Sequence, residues 1–384
     1  MRGNWLARAC CVHLGSRNPL YIVVFRASSH VQIFHLNVIY SSARATTPTK
    51  TLAPDRKTDQ SSEDCLFVFG KGSFDMPRVV FALPFRSNMV SGGQKMIYQA
   101  AGTLARHGVD AVVWQRHGRP GWFASDAPHC HDRPPLAAND LVVLPEDVPA
   151  SAALQLLEGV GPRRILFCQN PFHYLRTRFT DPSPFVWDGV MTVGAGSARL
   201  VRRVSGAASA HLVQVSFNGA IFRPGAKRLS ICTVPRKLPS DYEAIIGGLR
   251  HLHPQFASIP VTRIENMPES AVAETMAGSA VFLSLSHRES FGLTPMEAMA
   301  SGCAVVGYHG WGGLDYANAS NGRWFGHDEV EGVIDALAEV LAGLSRHDSA
   351  MTAMIAAGRE TAAAYSPAKS EASFLAAFRA FGVL

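Results

Sequence analysis

Two glutamates eight positions apart, Glu289 and Glu297, bracket the segment ESFGLTPME and are the side chains best placed to do chemistry in this chain. An ionised carboxylate accepts hydrogen bonds and donates none, so an acidic side chain at the mouth of a fold needs a polar partner, and a sugar hydroxyl is one. Glu297 could accept from both hydroxyls of a ribose, while the N–H groups of Gly292, Leu293 and Thr294 meet a phosphate at a helix start. Gly292 would help the backbone approach such a ligand closely. A plainer reading stays open: Thr294-Pro295-Met296-Glu297 fits the capping-box pattern, in which Glu297 bonds back to the N–H of Thr294. Glu289 has no such duty.

The elements that must hold these residues are legible around them. AVFLSLS (280–286) is a short apolar run with β-branched and aromatic members and predicts a buried strand. Thr294 then reads as an N-cap, Pro295 as the first helical residue and Gly302 as the stop, giving a helix of about two turns. CAVVGY (303–308) restores a strand. Strand, helix and strand in this order form a βαβ unit with parallel strands and a right-handed crossover. Ligands of such sheets lie at the carboxyl ends of the strands, where His287 to Leu293 sits.

The same alternation fills the chain from Met76 onward. RVVFALPF, a helix over about 94–107 closed by Gly108, VDAVVW, LVVLPE, RILFCQN, GVMTV and HLVQVSF form one series. A second begins after Asn218 to Pro224 with SICTV, DYEAIIGGLRHL, IPVTRI, ESAVAETMAG and AVFLSLS, and later helices cover about 329–344 and 350–364. A last amphipathic helix follows Ser366-Pro367. The expected fold is α/β, with two Rossmann-like domains (76–217 and 218–365) facing each other across a cleft. Residues 366–384 form a closing helix.

Composition limits the function. With 384 residues, 47% hydrophobic and 17% charged, the chain exceeds the size at which one core keeps growing. The net charge of +6 is confined to residues 1–54, which hold six cations and no acid; the remaining 30 Lys and Arg balance 30 Asp and Glu. Composition therefore gives no basic stripe for nucleic acid. PLYIVVF is too short to span a bilayer, and the acid-free leader resembles a transit peptide but lacks its clean amphipathic period, so residues 1–75 read as an unstructured or non-native extension ahead of Met76. Cys168, Cys232 and Cys303 lie in apolar runs and read as reduced core residues, which predicts a cytoplasmic setting.

Glu289 to Glu297 resembles the E-x7-E motif of retaining GT-B glycosyltransferases of the family 4 or group 1 type, and AMASGCAVVG resembles that family's continuation, with Ala304 where proline is usual. Trp311-Gly312-Gly313 resembles its glycine-rich loop, Ser91-Gly92-Gly93 its loop on the donor phosphates, and NGAIFRP (218–224) its interdomain segment without the usual Asp. The resemblance implies a nucleoside-diphosphate sugar of UDP or GDP type as substrate, no cofactor, and a glycan, lipid-linked or small-molecule acceptor, the lipid-linked case implying peripheral membrane contact. It implies that Glu297 holds the ribose and Glu289 the transferred sugar. Gly92, Gly93, Phe291, Gly292, Leu293 and Thr294 would line the donor, and Arg236 and Lys237 would neutralise the diphosphate as charge builds on the leaving group. The family more often spaces these two cations apart, and a solvated loop pair is the plain alternative. His173, in QNPFHYL, would touch the donor sugar, a place that Gln169 could equally take.

Three signals compete. GAGSAR (194–199) mimics a dinucleotide fingerprint, but Arg199 stands where the third glycine should let helix and strand pack. HCHD (129–132) invites a metal, although neighbours on an extended chain point apart. No D-x-D occurs, so the expected mechanism uses protein cations and a helix terminus in place of a divalent ion. A nucleotide-sugar epimerase and a catalytically silent sugar-nucleotide binder are the alternative functions.

Overall fold

The structure is a computed structural model that describes residues 77–84 and 91–384, together with three strand segments within the first 31 residues. The chain divides into two compact units, Met1–Phe69 and Gly70–Leu384. In the first unit β1 (Leu6–Val12), β2 (Leu20–Ala27) and β3 (His30–Val31) form an antiparallel sheet. The sequence led us to expect an unstructured extension here. The run LYIVVF is rich in β-branched and aromatic residues and finds a partner in LARACCV. The rest of that extension, including Met76, lies outside the described residues.

The second unit opens with β4 (Val79–Ala82), α1 (Gly92–Arg106), β5 (Ala111–Trp114), β6 (His129–Cys130), β7 (Leu141–Pro145) and α2 (Ala150–Leu156). It continues through β8 (Arg163–Cys168), α3 (Pro171–Thr180), β9 (Gly189–Thr192), α4 (Ala195–Ser205) and β10 (His211–Leu212). These seven strands form one parallel sheet in the order β10-β9-β8-β7-β4-β5-β6. Alternate residues of each strand serve opposite faces. Val79, Phe81, Val143 and Phe167 pack with Ile97 and Leu104 of α1, whereas Val142, Leu166 and Val190 face α2, α3 and α4 through Ala153, Tyr174 and Val201.

Next come β11 (Arg228–Thr233), α5 (Pro239–Leu252), β12 (Val261–Arg263), α6 (Glu269–Gly278), β13 (Ser279–Leu285), α7 (Leu293–Ala300), β14 (Ala304–Tyr308) and β15 (Arg323–Phe325). They make a second parallel sheet, β12-β11-β13-β14-β15. The helices α8 (Val330–Ser345), α9 (Ser349–Ala363) and α10 (Pro367–Ala380) complete the chain. Ile231, Val281, Leu283 and Val306 pack under α5 and α8. On the other face Cys232, Phe282 and Val305 meet α6 and α7, and this core is continuous with that beneath α1. α10 lies on the first sheet: Phe374 and Phe378 stack edge-on against Phe167 and Phe81, each at 5.9 Å.

In each sheet the strand order reverses once, between β4 and β7 in the first and between β11 and β13 in the second. A crevice opens at such a switch point because the flanking helices leave to opposite faces. Gly92 and Gly93 follow β4; Arg236 and Lys237 follow β11, and Glu289 follows β13. The topology thus puts most of the sequence-predicted residues at the switch points.

Candidate functional site

The helix start inside ESFGLTPME is earlier than the pattern suggests. Gly292, not Thr294, is the N-cap of α7; its φ of 84° is left-handed, and no side chain caps this helix. Thr294 is therefore the second helical residue, and the capping box with Glu297 does not form. The reason is tertiary: Tyr316 donates its hydroxyl to the carbonyl of Gly292 at 3.1 Å, and a Cβ at Gly292 would stand 3.2 Å from that hydroxyl. The helix end is as read. Gly302 adopts φ 76°, its N–H donates to Met299 O at 3.0 Å, and Cys303 N–H donates to Ala298 O at 2.9 Å, the paired bonds of a Schellman motif.

Released from capping, Glu297 sits partly buried at the junction of α1, α6 and α7. Desolvation pushes its carboxyl up from 4.5 to about 7; the Lys95 ammonium opposes this and the Glu269 carboxylate adds to it. Lys95 and Glu269 themselves form an ion pair that ties α1 to α6. Glu289 is paired differently. Lys237, at the end of the 3-10 turn Pro235–Lys237, places its Nζ 2.5 Å from Glu289 Oε1. Arg236 is exposed on the same turn. Beyond Glu289, His287 stacks on His327 at 4.3 Å and is held below its usual value by burial first and then by the neighbouring charge of His327 and Arg288.

Phe291 does not offer its ring to a ligand. It is 6% exposed and packs against Tyr316 at 5.2 Å and Tyr365 at 4.9 Å, so it anchors the loop. Leu293 faces across the seam, where a Cβ on Gly92 would stand 3.0 Å from its Cδ1. Gly92 and Gly93 open α1, earlier than the expected start near 94, and the helix has no side-chain cap. Gln169 Nε2 donates to Gly93 O at 2.9 Å.

Further contacts join the carboxyl edges of the two sheets. Asn170 caps α3 by accepting from the N–H groups of Phe172 and His173, and its Nδ2 donates to Arg288 O at 3.2 Å. His173 is thereby held exposed on the first turn of α3, beside Phe172, whose ring meets Trp311 at 5.2 Å. The first glycine of GAGSAR has its own use. Gly194 has φ 83°, a Cβ there would lie 2.5 Å from Ser290 O, and the next N–H, of Ala195, donates to Asp315 Oδ2 at 2.7 Å. The motif is an interdomain contact, with Asp315 at the start of α4 where a dinucleotide phosphate would otherwise belong.

HCHD divides between β6 and the residues after it, and the His129 and His131 rings stand 6.1 Å apart. Among the described residues no group of three or more His, Cys, Asp or Glu is arranged to hold a metal. Lys95, Glu269, Asn170, Asp315 and Tyr316 escaped the sequence reading because each acts through a residue 24 to 174 positions away. Only Asp315 carried a signal, as the acid two residues after Trp311-Gly312-Gly313.

Residues 258–361 match the family model for glycosyl transferases group 1. The chain is similar to solved structures: a glycosyltransferase from Rickettsia africae ESF-5 (TM-score 0.58, 14% identity, 79% of this chain and 97% of that one) and a sucrose-phosphate synthase from Thermosynechococcus elongatus (TM-score 0.60, 14% identity, 79% and 99%). The fold is GT-B. Anabaena HepE in complex with UDP-glucose shares it, with a TM-score of 0.57 at 12% identity over 79% of this chain and 99% of that one. Among curated proteins, an alpha-1,6-glucosyltransferase of Actinobacillus pleuropneumoniae serotype 7 (strain AP76) is 23% identical over 204 residues, 50% of this chain. The chain spans 61% of the length of that relative. The group 1 resemblance read from Glu289 to Glu297 thus extends, by the family match, across 258–361 of this GT-B chain.

Proposed function

We propose that the protein is a retaining glycosyltransferase that moves a sugar from a nucleoside-diphosphate donor to a glycan, lipid-linked or small-molecule acceptor. One observation carries the reading: Lys237 and Glu289, distant in sequence and delivered by β11 and β13, meet at the switch point beside the uncapped start of α7. The uncapped N–H groups of Gly292, Leu293 and Thr294 take an oxygen of the diphosphate, with Lys237 and Arg236 supplying positive charge as the leaving group accumulates negative charge. Glu297 accepts from the ribose hydroxyls in its ionised form. Glu289 accepts from the transferred sugar, which displaces Lys237 from it toward the phosphate. Gly92 and Gly93 open the facing helix closely enough for donor phosphates to pass between the two helix starts, and His173 reaches the sugar from the first sheet.

The sugar leaves and the acceptor attacks on the same face, and the departing phosphate receives the acceptor's proton. The charge stabilisation comes from protein cations and helix N–H groups, with no divalent ion. UDP-glucose is the first donor to test, since the HepE complex holds it and the curated relative is a glucosyltransferase. Incubation with a panel of UDP- and GDP-sugars, with release of nucleoside diphosphate as the readout and the anomeric configuration of the product read by NMR, tests the reading. Release from no donor in the panel, or an inverted product, overturns it.

A further inference from the structure

The outer face of the first sheet carries a surface that the transfer reading does not use. α3 and α4 lie side by side on that face, over Leu166, Cys168 and Val190, through Tyr174 and Val201. Neither helix contains an acidic residue. Their outward positions mix cations with large apolar groups: Arg176, Arg199, Arg202 and Arg203 are exposed, Phe179 is 87% exposed, and Val186 on the following loop is 68% exposed. The two carboxylates between the helices are already engaged, Asp181 by the N–H and hydroxyl of Ser151 at 2.7 Å and Asp188 by Arg164 at 3.4 Å. A phenyl ring left in water costs the hydrophobic stabilisation that burial would supply, and solubility alone would be met by the arginines.

We infer that α3 and α4 dock the protein on an anionic lipid bilayer, with Phe179 and Val186 entering the headgroup boundary and the arginines meeting lipid phosphates. Charge complementarity favours this occupant, because the four exposed cations outnumber the one carboxylate, Asp181, whose charge the neutral groups of Ser151 leave uncompensated, and so match a negative surface. The apolar pair favours a bilayer over a nucleic acid, which offers no apolar layer for Phe179 to enter. Both helices begin at the seam, where Asn170 touches Arg288 and Ala195 touches Asp315, and run away from it, so that Phe179, Val186, Arg202 and Arg203 lie toward the opposite edge of the sheet. The docking rests on these surface residues alone and does not depend on the transfer reading.

The test is co-sedimentation of the full chain with vesicles of phosphatidylcholine, with and without phosphatidylglycerol, needing no turnover. The wild type should sediment with the anionic vesicles and remain in solution with the neutral ones. Arg202→Glu with Arg203→Glu should lower partitioning by about tenfold or more, and Phe179→Ser by about tenfold, with the melting temperature unchanged in Phe179→Ser and slightly lowered in the double variant, whose acids fall in the last turn of α4. Undiminished binding in both variants would assign the effect to the basic residues 1–54 and overturn the inference. So would no sedimentation of the wild type. Equal binding to soluble heparin, weakened by the arginine changes and indifferent to Phe179→Ser, would identify a polyanion site in place of a membrane surface. Failure of any of these arms leaves donor turnover, measured separately with a soluble acceptor, as the judge of the transfer reading.

Discussion

The carboxyl edges of the two sheets occupy equivalent places in two similar folds and carry opposite chemistry. At the edge of the second sheet, charge is concentrated: Arg236, Lys237, Arg288 and Glu289 lie in the loops after β11 and β13, and Glu297 two turns further on. At the edge of the first sheet, which also carries Arg116 after β5 and Glu146 and Asp147 after β7, several hydrogen bonds are spent on structure: Gln169 on Gly93, Asn170 on α3 and Arg288, and the Ala195 N–H on Asp315, with Gly194 packed closely on Ser290. On the transfer reading proposed above, the difference amounts to a division of labour, in which one edge stabilises charge and the other closes over it by shape.

Loss of charge at the second edge should therefore harm chemistry, and loss of fit at the first should harm closure. The largest effect is expected at Glu289. Glu289→Gln removes a charged acceptor at the proposed sugar and should lower turnover about 10²- to 10³-fold, with nucleotide affinity nearly unchanged. Steady-state kinetics beside calorimetric titration of the nucleoside diphosphate checks this, and an equal fall in both would place Glu289 at the nucleotide instead.

Glu297→Gln should do the reverse, weakening nucleoside-diphosphate binding by about 1.5–3 kcal/mol, while a capping glutamate would tolerate the amide. Its titration sharpens the contrast. The folded protein keeps a proton on Glu297 that the unfolded chain releases between pH 4.5 and about 7. This group's contribution to stability is thus complete below about 4.5 and is lost as pH rises through about 7. The proposed role of Glu297 in nucleotide binding uses the ionised form, so affinity should rise through pH 7 and level off above it. Titration calorimetry across this range should show the rise in the wild type and a flatter profile in Glu297→Gln.

At the first edge, Gly194→Ala places a Cβ 2.5 Å from Ser290 O at φ 83°. A destabilisation of about 1–3 kcal/mol is expected, read as a lower melting temperature. A variant as stable and active as the wild type would show that the two edges do not meet in solution as described. The smallest effect concerns ions: turnover in excess chelator should equal that in buffer. Complete loss restored by magnesium or manganese would move charge stabilisation from Lys237 and Arg236 to a metal.

Much of the second edge was legible because its signals are local. An apolar run, a Gly stop and a Thr-Pro pair three residues before a glutamate mark strand, helix and strand within 29 residues, and the observed strands fall within one residue of that reading, while the helix starts two residues early. The exception is instructive. Thr-Pro-Met-Glu satisfies a capping pattern as well as a binding one, and nothing in those four residues says that Tyr316 will fix Gly292 and start the helix two residues earlier. The first edge was poorly legible, since Gln169, Asn170 and Gly194 act on backbone atoms of residues 76 to 118 positions away.

By itself the sequence determined the alternation of strands and helices, the parallel order this imposes, and the chemical types gathered after β11 and β13, because periodicity, caps and short crossovers are set by neighbours along the chain. The tertiary structure alone decided that Lys237 would face Glu289, that burial beside Lys95 and Glu269 would raise the Glu297 carboxyl toward neutrality, and that Gly194 would serve a seam. Ion pairing, desolvation and close backbone approach depend on distances in space, and those exist only once the two sheets have packed on their common core.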